Sequence, residues 1–172
     1  MSEGIGASVT RKEDKKFLTG KGRYTDDINR PGQTHAYFVR SDVAHANIKS
    51  IDTKAASEAS GVVAVYTGED VAADGIGGPI CGWVVPCRDG SPTKEPPHPI
   101  LANGKVRYVG DHVAVVIAET LAQAKSAAEL VEVEFEELPA VVDLESASSS
   151  AEIHKEVPDN CYFDWELGDE AS

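Results

Sequence analysis

Arg40, Ser41 and His45 bring three chemically capable side chains into six residues of the stretch FVRSDVAHANIKSID. A serine hydroxyl beside an imidazole could form a nucleophile and its base, and the arginine could bind an anion. Such a pair also needs a third group that orients the imidazole, and donors that stabilise an oxyanion. The sequence shows neither nearby, and Ser-Asp after a strand is typical of a turn. A structural joint is favoured, and a small hydrolase stays as an alternative.

Metal-ligating residues are scattered along the chain. No histidine at positions 35, 45, 98, 112 and 154 joins a cysteine or a carboxylate at a known metal spacing. Cys81 and Cys87 flank five residues in CGWVVPC, and Cys161 is the third cysteine. That spacing fits neither a zinc knuckle nor a ferredoxin-like cluster. We predict free thiols, no metal ligand and no catalytic or cofactor-binding residue in this chain.

Two further patterns could suggest a ligand site. The glycine pairs in GIGAS, GKGRY and GIGGP suggest a phosphate-binding loop, but none follows a strong strand and opens a helix. The alternating glutamates 132, 134 and 136 suggest a cation site, although the solvent face of a strand explains them more simply. Both patterns therefore favour structure over binding.

Composition limits the classes of function. The net charge is −13, and it is uneven: residues 1–55 carry ten basic and seven acidic side chains, whereas residues 56–172 carry six and twenty-two. An acidic surface of this size repels phosphate backbones, which disfavours nucleic-acid binding. No apolar run is long enough to span a membrane, and no secretory signal is visible after the first methionine. We expect a cytoplasmic protein whose 41% hydrophobic content can form a core.

The elements that must position these residues follow from periodicity. Alternation predicts strands in HAYFVR, ANIKSID and VEVEFEEL, and β-branched residues predict another in VVAVYTG. HVAVVIA is almost wholly apolar and therefore predicts a central strand that is buried on both faces. KVRYVG and PAVVD add shorter extended pieces. In VEVEFEEL, the valines and Phe135 should face inward and the glutamates should face water.

Two helices separate the strands. DTKAASEASG predicts a short helix that Asp52 or Thr53 caps. TLAQAKSAAEL predicts a longer one, with Thr120 and Gln123 as a capping box. Its inward stripe should hold Leu121, Ala124, Ala128 and Val131. Because two helices cannot cover both faces of a doubly wound sheet, we predict an α+β fold, a mixed sheet with helices on one side.

Three segments lie outside these elements. Residues 1–30 are glycine-broken and should form an extended arm. Residues 72–104 form a long glycine- and proline-rich loop, and such loops are usually functional or interfacial. Residues 146–172 begin as a Ser/Ala-rich linker and should pair only where a partner receives them. We expect both arms to be mobile in the isolated chain or to contact another copy, as in a homo-oligomer.

The order of motifs resembles a known family. RKEDKKFLTGKGRYTDDI, FVRSDVAHANIKSIDTKAA, GVVAVYTGEDV, KVRYVGDHVAVVIAE and AAELVEVEFEELPAVVD occur in turn. Together they resemble the N-terminal region of the molybdenum-binding large subunit of the xanthine dehydrogenase/aldehyde oxidase family, nearest the carbon monoxide dehydrogenase group. The resemblance covers roughly residues 9 to 170. It implies an arm over residues 1–16, an α/β-hammerhead domain over 17–145, and a linker or arm over 146–172 that leads to an absent molybdopterin-binding domain.

The resemblance also implies a function. The chain would be the hammerhead portion of a molybdenum hydroxylase, structural and assembly-related, and inactive alone because no position matches the family's molybdenum-site motifs. The parent oxidoreductase would use molybdopterin, iron–sulfur clusters and FAD. Its molybdopterin-binding domain or subunit, iron–sulfur subunit and FAD subunit would be this chain's partners. The alternative is a free-standing module, without enzymatic role, that binds a partner through loop 72–104.

Overall fold

A computed structural model describes residues 4–168 of the chain. Residues 1–3 and 169–172, the ends of the two predicted arms, lie outside the described residues. The chain divides into two units between Gln33 and Thr34. In the first unit, helix α1 spans Asp14–Leu18 and one turn of 3-10 helix spans Thr25–Asp27. As the glycines predicted, this unit has no long helix among its described residues.

The first sheet of the second unit has strand β5 (His112–Ala118) at its centre. Strands β1 (His35–Arg40) and β3 (Val62–Thr67) pair antiparallel with the two edges of β5. Val113 of β5 joins the core beside the second sheet, while Val116 joins the core beneath a helix. The prediction of a strand buried on both faces is therefore confirmed.

The second sheet places β2 (Ala46–Asp52) between β4 (Lys105–Val106) and β6 (Glu132–Glu137). Val133 and Phe135 pack on the core, and the glutamates of β6 are exposed, as the alternation predicted. The strand pairs of both sheets are antiparallel. The fold therefore has two antiparallel sheets in place of the single mixed sheet that we expected, since alternation predicts strands but not their partners.

Helix α4 (Leu121–Ala128) covers one face of the first sheet through alanines. Ala124, Ala127 and Ala128 are buried. The side chain of Thr120 accepts a hydrogen bond from the backbone of Gln123 at 3.2 Å, which is the first half of the predicted capping box. The second half does not form, because the Gln123 side chain accepts from the Thr120 hydroxyl at 2.7 Å and not from the Thr120 backbone. Leu121 is 44% exposed, so its inward placement was wrong. Cα–Cβ bonds tilt towards the helix N-terminus, and a side chain at the first position therefore projects past the helix end.

Two other helices begin at polar caps. Helix α2 (Lys54–Ser57) follows Asp52, whose carboxylate accepts from the Lys54 backbone at 2.9 Å. Helix α3 (Gly68–Ala73) was not predicted. Asp70 accepts hydrogen bonds from the backbone (2.7 Å) and hydroxyl (2.8 Å) of Thr67, and the backbone bond is the main cause that lowers the pKa of Asp70. The Thr-x-x-Asp signal was present in the sequence and was missed.

Two predicted extended pieces differ in the structure. KVRYVG forms a strand only at Lys105–Val106, because Asp111 accepts from the Arg107 backbone at 3.1 Å and closes a turn. No strand forms at PAVVD, although the Leu138 backbone donates to His45 at 2.8 Å. Short apolar runs predict extended chain, but a strand also needs a free neighbouring edge.

Residues 146–168, which we call the C-terminal segment, are attached to loop 72–104 of the same unit. The backbone of Arg88 donates to Asp164 at 2.8 Å, and that of Lys94 donates to Tyr162 at 2.9 Å. The prediction that this segment pairs only with a partner was wrong for its described residues. Apolar anchors are few, but backbone hydrogen bonds hold the segment, and Asn160 adds three side-chain bonds, of 2.9 to 3.1 Å, to residues 147, 151 and 153.

Candidate functional site

Ser41 lies in the turn between β1 and β2 and is 3% exposed. Its hydroxyl donates to the carbonyl of Val43 at 2.8 Å and accepts from the Val43 backbone at 3.2 Å. Its own backbone bonds to Gly110 and Asp111, the residues before β5. Both roles of the hydroxyl are used locally, which is the arrangement of a serine turn and not of a nucleophile.

His45 links the same turn to the segment after β6. Its Nδ1 lies 2.8 Å from the carbonyl oxygen of Pro139. A carbonyl can only accept, so Nδ1 donates in this contact. Nε2 is buried and has no hydrogen-bond partner among the described residues. The imidazole therefore joins two segments of backbone and is not held beside Ser41 as a base.

Arg40 completes the joint. Its guanidinium donates to the carbonyl of Gly110 at 3.2 Å, across the turn that precedes β5. The three side chains of the opening cluster thus make separate contacts with Val43, Pro139 and Gly110. The structure supports the interpretation of this cluster as a joint, and its contacts give no support to the small hydrolase.

The strongest candidate for a ligand site is a cavity of about 300 Å³ between loop 72–104, the turn before β5 and the C-terminal segment. Prolines form one wall and ring side chains form much of the rest. It is lined by Pro96, Pro97, His98, Pro99, Arg107, Tyr108, Asp111, His154 and Tyr162. Sequence reasoning missed this cavity because its residues come from three distant segments, without a shared spacing.

The polar groups of the cavity are arranged around His154. Its ring lies edge-on to Tyr162, with ring centroids 6.0 Å apart. The Nδ1 atom of His154 is buried and has no partner among residues 4–168. Arg107 donates from Nε to the Ile153 carbonyl at 3.3 Å, and its backbone N–H is taken by Asp111. These groups could hold a ring or a polar side chain, but they include no activated nucleophile.

Burial lowers the pKa of His154 below its ordinary value, and the positive charge of Arg107 lowers it further. Between this lowered pKa and the ordinary value of about 6.5, the unfolded chain therefore binds more protons than the folded one. Stability should therefore fall as the pH drops through this range, because the ring must be charged in an apolar setting. A ¹H–¹³C NMR titration of the His154 ring measures its pKa. Urea unfolding at several pH values measures the stability, and His154→Gln is the control that should lack this pH dependence. A titration midpoint at or above the ordinary value would contradict the prediction.

Two of the glycine motifs contain a glycine that packing requires. A Cβ at Gly78, in GIGGP, would lie 1.7 Å from the carbonyl oxygen of His98. In GKGRY, a Cβ at Gly22 would lie 2.5 Å from the Phe17 ring. Both glycines permit close approach within their own unit, which explains the residue type without a ligand.

Comparisons with known proteins give the family. Residues 19–139 match the model for the aldehyde oxidase and xanthine dehydrogenase a/b hammerhead domain. The chain belongs to this family. It is 41% identical to the nicotine 6-hydroxylase large subunit of Paenarthrobacter nicotinovorans over 91% of this chain, and 36% identical to the carbon monoxide dehydrogenase large chain of Afipia carboxidovorans over 97%.

Solved structures agree with the hammerhead assignment. Quinoline 2-oxidoreductase from Pseudomonas putida 86 matches 86% of this chain with a TM-score of 0.72 and 43% identity. Aldehyde oxidoreductase from Desulfovibrio gigas matches 89% with a TM-score of 0.72 and 35% identity. The predicted α+β hammerhead fold is confirmed. The chain covers only 18% and 17% of those two chains, and 18% and 21% of the two curated relatives named above.

The described residues do not fit an iron–sulfur cluster, one of the cofactors that the resemblance implied for the parent enzyme. An iron–sulfur cluster needs four suitably placed ligands, usually thiolates. The three cysteines are free, and no group of three or more His, Cys, Asp or Glu residues in the described part could hold a metal.

The described helices also include none with the length and apolar content needed to cross a membrane.

Proposed function

We propose that this chain is the hammerhead portion of a molybdenum hydroxylase and that its role there is structural and assembly-related. The observation that carries the proposal is the match of residues 19–139 to the hammerhead model, within relatives of which the chain covers about a fifth. The uses of Arg40, Ser41 and His45 in backbone contacts support it. We keep residues 17–145 as the proposed domain, with residues 1–16 and 146–172 as its flanking segments.

The proposed parent reaction is oxidation of a small carbon centre with oxygen derived from water. The relatives are named for nicotine hydroxylation, carbon monoxide dehydrogenation and xanthine dehydrogenation, so they share a reaction class and not a substrate. In this proposal, electrons leave through iron–sulfur clusters and FAD on partner subunits. The whole enzyme is located in the cytoplasm. Molybdopterin binds to another domain or subunit, and this chain supplies no ligand to it.

The test is metal analysis and turnover of the purified 172-residue chain. We expect molybdenum far below one atom per chain and no oxidation of aldehydes, purines or carbon monoxide, because no metal-ligating cluster is present in the described part. Reconstitution with molybdenum cofactor before the assay controls for loss during purification. Stoichiometric molybdenum, or turnover by the chain alone, would contradict the proposal.

A free-standing module that binds a partner remains the second candidate. It is favoured by apolar side chains that loop 72–104 exposes, such as Ile80 at 91% and Trp83 at 72%. The two candidates differ in what accompanies the chain. Co-purification from the source cell should recover molybdopterin-binding, iron–sulfur and FAD-binding polypeptides if the first is correct, and none of these if the second is.

A further inference from the structure

Both tryptophans of the chain meet at one place on the surface. Trp83 belongs to loop 72–104 and Trp165 to the C-terminal segment, and the sequence has no other tryptophan. Their rings lie edge to face, with centroids 5.9 Å apart. Even so, Trp83 remains 72% exposed and Trp165 42% exposed. Tryptophan buries more apolar area than any other side chain, so two exposed rings are costly to leave in water.

Three more exposed apolar side chains lie within two residues of the tryptophans in the sequence. Val84 follows Trp83, and Phe163 and Leu167 flank Trp165. These three side chains are 51%, 53% and 86% exposed, respectively. We call these five residues the tryptophan patch. Scattered exposed apolar residues are ordinary, but a concentration that includes the largest aromatic rings is typical of an interface.

The patch is held in place by the pairing of its two segments. Besides the backbone bonds of Arg88 and Lys94, the guanidinium of Arg88 lies 2.7 Å from Asp164 and 3.5 Å from Glu166. Lys94 lies 3.0 Å from Asp159. Each exposed ion pair adds little stability, but together with the backbone bonds they fix the register of the segments. Pre-formed aromatic anchors bind with a smaller entropic cost than disordered ones.

We propose that the tryptophan patch docks the polypeptide that, in the relatives, makes up the rest of the large subunit. This inference rests on the proposed function. The alignment with the carbon monoxide dehydrogenase large chain extends over 97% of this chain yet covers only 21% of that subunit. The relatives therefore join a region like this one to a much larger polypeptide. An apolar, aromatic patch suits a permanent contact of that kind, and the acidic charge of the chain disfavours nucleic acid.

The test uses a chimera in which this chain replaces the hammerhead region of the quinoline 2-oxidoreductase large subunit, produced with the other subunits of that enzyme. Hydroxyl-radical footprinting then compares the oxidation of single side chains in the chimera and in the isolated 172-residue chain. We expect the oxidation rates of Trp83 and Trp165 to fall several-fold in the chimera. Leu144, which is 93% exposed and outside the patch, is the reference and should change less.

The outcomes separate the two proposals. A chimera that assembles while both tryptophans stay as reactive as in the isolated chain overturns the docking surface and leaves the proposed function standing. A chimera that never assembles, although the isolated chain is folded, overturns the proposed function. Concentration-dependent protection in the isolated chain would identify a second copy as the occupant and would also overturn this inference.

Variants give an independent check. The Trp83→Ser, Trp165→Ser pair should reduce the yield of assembled chimera several-fold, whereas the matched Val142→Ser, Leu144→Ser pair, also exposed, should not. Thermal melting of both isolated variants shows whether they fold. An equal yield from the two variant pairs would overturn the docking surface.

Discussion

Replacing Gly68 by alanine should destabilise the hammerhead domain by about 2–3 kcal/mol, the upper part of the usual range for inserting a methyl group into closely packed structure. Gly68 is buried at the start of α3. An added Cβ would lie 2.2 Å from the carbonyl oxygen of Ala102 and 2.7 Å from its carbonyl carbon. These are backbone atoms beside the buried residues before β4, so they cannot rotate away as a flexible side chain would.

The matched control is Gly77→Ala. Gly77 has no heavy atom within 4 Å of the position of an added Cβ, and it does not lie in the left-handed region. The same substitution there should change the free energy of unfolding by less than about 0.5 kcal/mol. Urea unfolding, followed by circular dichroism, measures both variants. Equal midpoints for the two variants would show that α3 and the segment at Ala102 do not approach as closely as described.

Replacing His45 by alanine should cost about 2–4 kcal/mol, because it leaves a cavity and removes a buried hydrogen bond. The imidazole is 6% exposed, and its contact with Pro139 ties the β1–β2 turn to the chain after β6. The same loss should not arise from His35→Ala, since His35 lies on β1 and its side chain bonds to no described residue. Chemical unfolding of the two variants compares these sites.

His45→Asn tests the cause of that loss. An asparagine amide can donate to the Pro139 carbonyl in place of Nδ1, and it removes the unpaired Nε2. We expect it to recover part of the stability that alanine loses. If His45→Ala unfolds at the same urea concentration as the unmodified chain, the joint is not structural. If ester hydrolysis by the chain were present and lost in the same variant, the hydrolase alternative would return.

These predictions bear on function through architecture. In the proposal above, the described residues hold a turn, two sheets and a patch in fixed positions, and the oxidation chemistry belongs to another part of the parent enzyme. A variant that weakens the joint at His45 should therefore lower the amount of assembled enzyme more than the turnover of each assembled molecule. A variant of the tryptophan patch should lower assembly more than it lowers the stability of the isolated chain.

The sequence alone determined most of the local elements and the family. Alternation in ANIKSID and VEVEFEEL and the apolar run HVAVVIA were sufficient for β2, β6 and β5, because side-chain direction along a strand depends only on residue parity. Five motifs in a fixed order indicated the hammerhead, and the comparisons confirmed it. The structural interpretation of Arg40, Ser41 and His45 also followed from the sequence, since the groups that a nucleophile requires were missing.

Only the tertiary structure decided what those elements contact. Strand periodicity carries no information about partners, so it could not divide the strands into two antiparallel sheets. It could not show that Arg107 shares a cavity with His154 and Tyr162, which lie more than forty positions later in the chain. Nor could it show that Trp83 lies against Trp165, since these two are also tens of positions apart. Contacts between distant segments depend on how the whole chain folds back on itself, and no local spacing records that.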